Sequence, residues 1–501
     1  MGILLRLVRY VDNRSLWLDE AALALNLINL PVGKLVTQGL FFSQSAPPGF
    51  LAVEKAAVGL LGDDEMALRL FPLLSGIAAL VLFQHIAARL LPPATALFVL
   101  ALFAVNEPLV YYSAEVKPYS SDVAIAALLV LLYLRFAERD TFDLRRVAPL
   151  AVAGTIAVWF SFPAVFVLAG VGLALMLTGP DATPLRRLGL AAAVGGLCLA
   201  SFAAMYRMAS ETISTISRVV FGGAGSNGNR PGQLVNTLHE AWGAIVDPGG
   251  FPRPTNWLAA AVLAVGVGWT LAYARPNRKA LLLVPGIAAF VAALLDKYPA
   301  AGRFWLFLLP FGLVVLGLGV SELVRRSGRL LLVAVPLVCL LVVGTVQRAG
   351  ENLADPPRSE HIRPLLSRLV DQWRNGDVLY VYSQSQYALR YYAECANCDV
   401  RGPFPWPVVP ARNLGSGKTG EALESAPPTV IIGTEGHVLA EVAELRGRSR
   451  VWLLFTSVLP HKGETDEDLA LADLDRRGRR LAELREKNAS LYLYDLLSAN
   501  R

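Results

Sequence analysis

The chain has 501 residues, of which 54% are hydrophobic and 17% charged, and its mean hydropathy is +0.47. Soluble domains carry about 25% charged residues, so the composition argues against an ordinary soluble enzyme and for a polytopic membrane protein. The net charge of +6 does not imply a nucleic-acid partner, because the excess lysine and arginine sits in short loops between apolar runs.

The chain begins MGILLRLVRYV, which carries Arg6 and Arg9. This stretch is far shorter than the roughly 20 residues a bilayer core needs. It also lacks the apolar core and small-residue cleavage site of a signal peptide. Ile3–Val11 therefore reads as the end of a helix that begins before Met1, or as a short interfacial anchor. About ten spanning helices follow. They are expected at Met66–Ala88, Ala94–Tyr111, Ser120–Phe136, Val147–Phe160, Pro163–Thr178, Leu188–Arg207, Trp257–Ala274, Ala280–Leu295, Phe304–Val320 and Leu330–Val346. Val147–Thr178 reads as a tight helical hairpin turning at Pro163, since proline cannot donate the bond a continuing helix requires.

Alternate loops hold Arg89; Arg135, Arg139, Arg145 and Arg146; Arg186 and Arg187; Arg275, Arg278 and Lys279; and Arg325, Arg326 and Arg329. Basic residues on short loops mark the cytoplasmic side. The other loops and the tail after Gln347 are then extracytoplasmic. That set includes Asp12–Glu65, Asn106–Tyr119, the long loop Met208–Asn256 and Asp296–Arg303.

From about Asp355 the chain changes character. HIRPLLSRLVDQWR has helical spacing, DVLYVY, TVIIG, VWLLFT and LYLYDL read as strands, and HVLAEVAELRGR and DEDLALADLDRRGRRLAELREKN read as helices. Alternating strands and helices predict a small α/β domain with a mainly parallel sheet. The domain division is thus 1–350 in the membrane, with 12–65 as an outer loop, and 351–501 outside it.

Several motifs have plain explanations. NLGSGKTG at Asn413–Gly420 lacks the first glycine of a phosphate loop, because Arg412 stands there. Cys198 and Cys339 fall in apolar helices and read as packing residues. Cys395 and Cys398 have no second pair to complete a zinc site, and an oxidising compartment favours a local disulfide. Asn488 begins an NAS glycosylation tripeptide, a frequent and weak signal.

Three polar clusters fall on the predicted outer face. SLWLDEA holds Asp19 and Glu20, NEPLVYYSAEVKPYSSD holds Glu115, Lys117, Tyr112 and Tyr119, and DKYPAAGRFWLFLLP holds Lys297, Tyr298 and Arg303. Singly, each reads as helix capping, a solvated loop or a headgroup anchor. Together, acids and cations on one face suit sugar transfer from a membrane-anchored phosphate. A carboxylate acts as general base for an acceptor hydroxyl, while cations and tyrosines hold the departing phosphate. Met208–Asn256 contains FGGAGSNGNRPGQ between helix-like flanks and reads as a gate, with Arg218 or His239 near the acceptor.

SLWLDEA, SAPPGFLAVEKAAVGLLG, EMALRLFPLLSGIAALVLF, NEPLVYYSAEVKPYSSDVAIAALLVLLY and YPAAGRFWLFLLP resemble the GT-C membrane glycosyltransferases. The branch is that of the protein O-mannosyltransferases and the lipid A aminoarabinose transferase. The resemblance is strong over Asn13–Ala137 and loose over the remaining helices. It implies a catalytic Asp19 with Glu20 beside it, a second-loop acid at Glu115 and a basic position at Lys117. It further implies a polyprenyl-phosphate sugar donor, an inverting single displacement, juxtamembrane helices in 12–65 and a first helix truncated at Met1. Ala46-Pro47-Pro48 stands where HPP is common in the family, so that histidine is missing.

The expected protein is therefore a GT-C-like polytopic α-helical membrane protein with a C-terminal extracytoplasmic α/β domain. It sits in the plasma membrane and passes a sugar to an envelope glycan, lipid or protein. No metal ligands and no cofactor are assigned, and a divalent metal stays open. The rival readings are a transporter or flippase of lipid-linked sugars and a non-catalytic scaffold. Spans with almost no charges in their interiors, and the lack of a visible repeat, speak against transport.

Overall fold

The structure is a computed structural model. It describes residues 1–138, 144–178, 183–209, 255–295, 297–299, 302–326, 331–400, 404, 429–434, 436–458, 460–461 and 463–497. The expected gate, with Arg218 and His239, and the NLGSGKTG stretch lie outside these residues. Contacts divide the chain into two compact units. One holds Met1–Asp12, Ser45–Val53 and Arg69–Pro356; the other holds Asn13–Gln44, Glu54–Leu68 and Pro357–Arg501.

The first unit is helical. Six helices are long and apolar enough to cross a membrane: Glu65–Leu90, Tyr119–Ala137, Arg187–Met208, Asn256–Tyr273, Pro276–Leu294 and Gly302–Arg325. The count becomes seven if Pro93–Val105 and Glu107–Ala114, bent by 53°, form one span. The chain is thus a multi-pass membrane protein, but about ten full spans are not found among the described residues. Val147–Phe160 and Ala164–Met176 are apolar but short, and the span expected at Ala94–Tyr111 breaks at Asn106. Pro163 caps the start of Ala164–Met176, as the hairpin reading requires.

Small residues let these helices close on one another. A Cβ added to Gly266 or Gly319 would overlap the backbone of the facing helix, at Val315 and Val262 respectively. Polar side chains bridge elsewhere: Tyr133 and Thr178 share a hydrogen bond of 2.7 Å, and Asn277 donates to the Tyr133 hydroxyl at 3.1 Å. The N-terminal helix Gly2–Val11 buries both of its arginines. Arg6 donates to the carbonyls of Gly2 and Ala104, while Arg9 pairs with Asp12 at 3.5 Å and lies 4.9 Å from the Tyr111 ring centre.

The second unit carries the sheet. Its strands are β1 (Val378–Val381), β2 (Val430–Ile432), β3 (Val451–Thr456), β4 (Pro460–His461), β5 (Glu464–Thr465), β6 (Arg479–Glu486) and β7 (Ala489–Asp495). The main sheet has the order β2-β1-β3-β7-β6, and β4 pairs with β5 apart from it. β1 is parallel to β2 and β3, whereas β3–β7 and β7–β6 are antiparallel, so the sheet is mixed rather than mainly parallel. β1 and β3 are buried along their whole length, the pattern of strands covered on both faces. The expected helix DEDLALADLDRRGRRLAELREKN is half helix and half strand. Asp466–Arg477 is helical behind a capping box of Thr465 and Asp468, and β6 then begins after Gly478.

Cys395 and Cys398 form a disulfide. The Ala396 and Asn397 amides inside that loop donate to the Asp63 carboxylate at 2.9 and 3.1 Å. Asn488 takes a left-handed φ of 49° at the β6–β7 turn, and its side chain donates to the Ser359 carbonyl.

Candidate active site

Asp19 and Glu20 lie in the second unit; Glu115, Lys117, Tyr112, Tyr119, Lys297, Tyr298 and Arg303 lie in the first. The two sets are described in turn.

Asp19 and Glu20 stand in the first turn of the helix Leu18–Asn29, whose N-cap, Trp17, has no capping side chain of its own. Acids there suit the positive end of the helix dipole. Glu20 is fully buried and Asp19 half-buried. Burying a carboxylate is costly unless it is paired, and the buried Arg14 guanidinium meets Glu20 at 2.5 Å. The chain entering this helix has its backbone groups met by side chains from distant sequence. The Tyr392 hydroxyl accepts from the Leu16 amide at 2.8 Å and donates to Glu65 at 2.9 Å. Arg363 reaches both Glu65, at 3.4 Å, and the Asn13 carbonyl, and its amide donates to the Ser15 hydroxyl at 3.2 Å. Glu360 accepts from the Leu18 amide at 3.4 Å and from the Ser457 hydroxyl. Burial pushes the Glu360 carboxyl up to about 7, with the Glu20 charge adding to the rise and its hydrogen bonds opposing it.

In the first unit, the Asn106 side chain caps the short helix Glu107–Tyr111, and a 3-10 turn, Tyr112–Ala114, leads to an extended Glu115. Glu115 and Lys117 are both buried, and the Lys117 amide donates to the Glu115 carbonyl at 2.7 Å. The Tyr112 and Tyr119 rings meet edge to face at 5.0 Å, and Tyr119 meets Phe304 at 5.7 Å. Arg303 is half-buried, with its guanidinium 5.8 Å from the Tyr119 ring centre and 5.5 Å from that of Phe304. Thus Arg303, far along the chain from Tyr112 and Tyr119, shares one aromatic cluster with them. Tyr298 is packed between Phe166 and Phe304 and donates its hydroxyl to the Phe304 carbonyl at 2.5 Å. Burial holds that hydroxyl well above its ordinary range, and Asp122 and Tyr119 push the same way. Lys297 is exposed.

Sequence reasoning missed Arg14, Glu65, Glu360, Arg363 and Tyr392, as well as Asp122, a buried acid in the first turn of Tyr119–Ala137. Arg14 carried a signal, since it lies only six positions before the acid it neutralises. Among the described residues, no group of three or more His, Cys, Asp or Glu is placed to hold a metal ion.

No family model and no curated protein matches the sequence. Solved structures do. A crystal structure of ArnT from Cupriavidus metallidurans in the apo state matches with a TM-score of 0.54 at 15% identity, over 97% of this chain and 96% of that one. The same protein bound to undecaprenyl phosphate matches with a TM-score of 0.53 at 14% identity, over 98% and 96%. An oligosaccharyltransferase from Archaeoglobus fulgidus reaches a TM-score of 0.47 at 12% identity, covering 79% of this chain and 62% of that one. The likeness to ArnT runs through the membrane helices and the C-terminal sheet alike, and the chain has the GT-C fold that the resemblance of its sequence implied.

Proposed function

We propose that the protein is an inverting glycosyltransferase that moves a sugar from a polyprenyl-phosphate donor to an envelope acceptor at the extracytoplasmic face of the plasma membrane. The observation that carries the reading is the acid pair at a helix start, with Glu20 neutralised by Arg14 and Asp19 half-buried in the same turn, in a chain with the ArnT fold. The ArnT structure bound to undecaprenyl phosphate supports a lipid phosphate as the ligand class.

In this reading Asp19 is the general base. It accepts the proton of the acceptor hydroxyl while that oxygen attacks the anomeric carbon. The bond to the phosphate oxygen breaks in the same displacement. Glu20, held by Arg14, keeps the turn in place, and Glu115 takes the role of the second-loop acid. Lys117 and Arg303 bind the phosphate and stabilise the charge it gains on leaving, with Tyr112, Tyr119, Tyr298 and Lys297 lining the donor's approach. Arg303 suits the task because its guanidinium lies beside aromatic rings and is a planar fork that matches an oxyanion.

The test is purified full-length protein incubated with a panel of polyprenyl-phosphate sugars, with and without extracted envelope acceptors. Release of polyprenyl phosphate from at least one donor, increased by acceptor, is expected. Intact donor throughout the panel, with folded protein, would overturn the reading.

A further inference from the structure

The helix Leu18–Asn29 begins without a cap from its own sequence. The first amides of a helix lack partners inside it and must find them elsewhere. Here the Leu18 amide donates to the carboxyl of Glu360, a residue 342 positions away, at 3.4 Å. Glu360 is almost wholly buried, and the Ser457 hydroxyl donates to the same oxygen. A capping acid in solvent would do this work at little cost. A buried acid is costly to charge, and burial together with the nearby Glu20 raises this one to about 7. An expensive group that touches the turn bearing a candidate reactive pair points to function more than to packing.

We propose that Glu360 is a positioning residue, its carboxyl fixing the start of the Leu18–Asn29 helix and so the placement of Asp19. The proposal rests on the glycosyltransferase reading for its consequence, but its contact can be measured without it. Glu360 acts through the turn. Glu20 is already neutralised by Arg14 at 2.5 Å, and the neighbouring amide, that of Leu16, belongs to Tyr392. Each of these three anchors therefore holds a different atom of the same short stretch, and loss of Glu360 frees the amide of Leu18, the residue before Asp19.

The experiment pairs amide exchange with kinetics on full-length protein in lipid nanodiscs, comparing native, Glu360→Ala and Glu360→Gln. Gln keeps an acceptor oxygen at the same reach and removes the charge; Ala removes the acceptor. In Glu360→Ala, protection of the Leu18 amide should fall about tenfold or more, while helices of the membrane unit keep theirs. With the donor turned over in the panel, kcat should fall by a similar factor with the donor KM unchanged, and Glu360→Gln should restore both. Unchanged Leu18 protection in Glu360→Ala would overturn the proposal, as would lost protection with an unchanged kcat. If native protein turns over no donor, the glycosyltransferase reading fails by itself, and exchange at Leu18 still upholds or overturns the contact.

Discussion

The acid turn at Asp19–Glu20 and the cation turn at Glu115–Tyr119 are marked by different contacts. The first is held by directional polar contacts: Arg14 on Glu20, Tyr392 on the Leu16 amide, Glu360 on the Leu18 amide and Arg363 on Ser15. The second adds ring contacts to its polar ones, with Tyr112 against Tyr119, Tyr119 against Phe304, and Arg303 beside both Tyr119 and Phe304. Hydrogen bonds and ion pairs fix an atom to a few tenths of an ångström, while ring and cation–π contacts tolerate sliding. A base must meet a hydroxyl at hydrogen-bond distance, whereas a phosphate is served by charge from a range of positions. The proposed division of labour follows that contrast.

Breaking the rigid side should cost the most. Arg14→Ala leaves Glu20 buried and uncompensated, which typically costs about 3–5 kcal/mol. Thermal unfolding in detergent should show a large fall, and an unchanged midpoint would mean that Glu20 is not committed to Arg14.

Glu360 gives the same side a pH signature. Its carboxyl is raised from 4.5 to about 7 in the folded protein. A raised carboxyl contributes stability that is fully present below the unfolded value and is lost as pH rises through the folded one. Between about pH 4.5 and pH 7 this group should therefore remove about 3 kcal/mol of native stability, at about 1.4 kcal/mol per unit. The Glu360→Gln protein should lack that slope. Parallel unfolding curves for the two proteins across the window would contradict the assignment.

The cation side should respond in binding. Lys117→Ala and Arg303→Ala each remove one charge-assisted contact, worth about 1.5–3 kcal/mol. Affinity for undecaprenyl phosphate, measured on protein that is folded at the assay temperature, should drop about tenfold to a hundredfold. Unchanged affinity in both variants would place the phosphate elsewhere. Tyr392→Phe should have the smallest effect, about 0.5–1.5 kcal/mol, because it removes one hydroxyl that bridges the Leu16 amide and Glu65. A loss confined to the second unit would sharpen the contrast, and a loss of phosphate affinity would blur it.

The fold class was legible because apolar runs and an acid pair in an apolar chain are strong local signals. What surrounds the pair was not. Glu360 lies 342 positions from the amide it touches and sits in a tail where acids are common. β6 was misread for a different reason. Leu481 and Leu484 are spaced three apart, as on a helix face, but pairing with β7 makes the segment an edge strand that alternates exposed and half-buried residues. The bend at Asn106 had a visible cause in Asn106-Glu107-Pro108, a capping residue followed by proline, inside a run that hydropathy alone reads as one span. Tyr119 and Arg303 were each visible as candidates, but their meeting was not, because 184 positions separate them and no spacing along the chain reports it.

The central claim is that Asp19 is the base of a sugar transfer. Turnover of a polyprenyl-phosphate sugar by native and Asp19→Asn protein, at matched unfolding midpoint and matched donor affinity, tests it most directly. The account predicts a loss of about 10²–10⁴-fold in kcat, since asparagine keeps the shape and removes the proton acceptor. Near-native turnover by folded Asp19→Asn protein would contradict it.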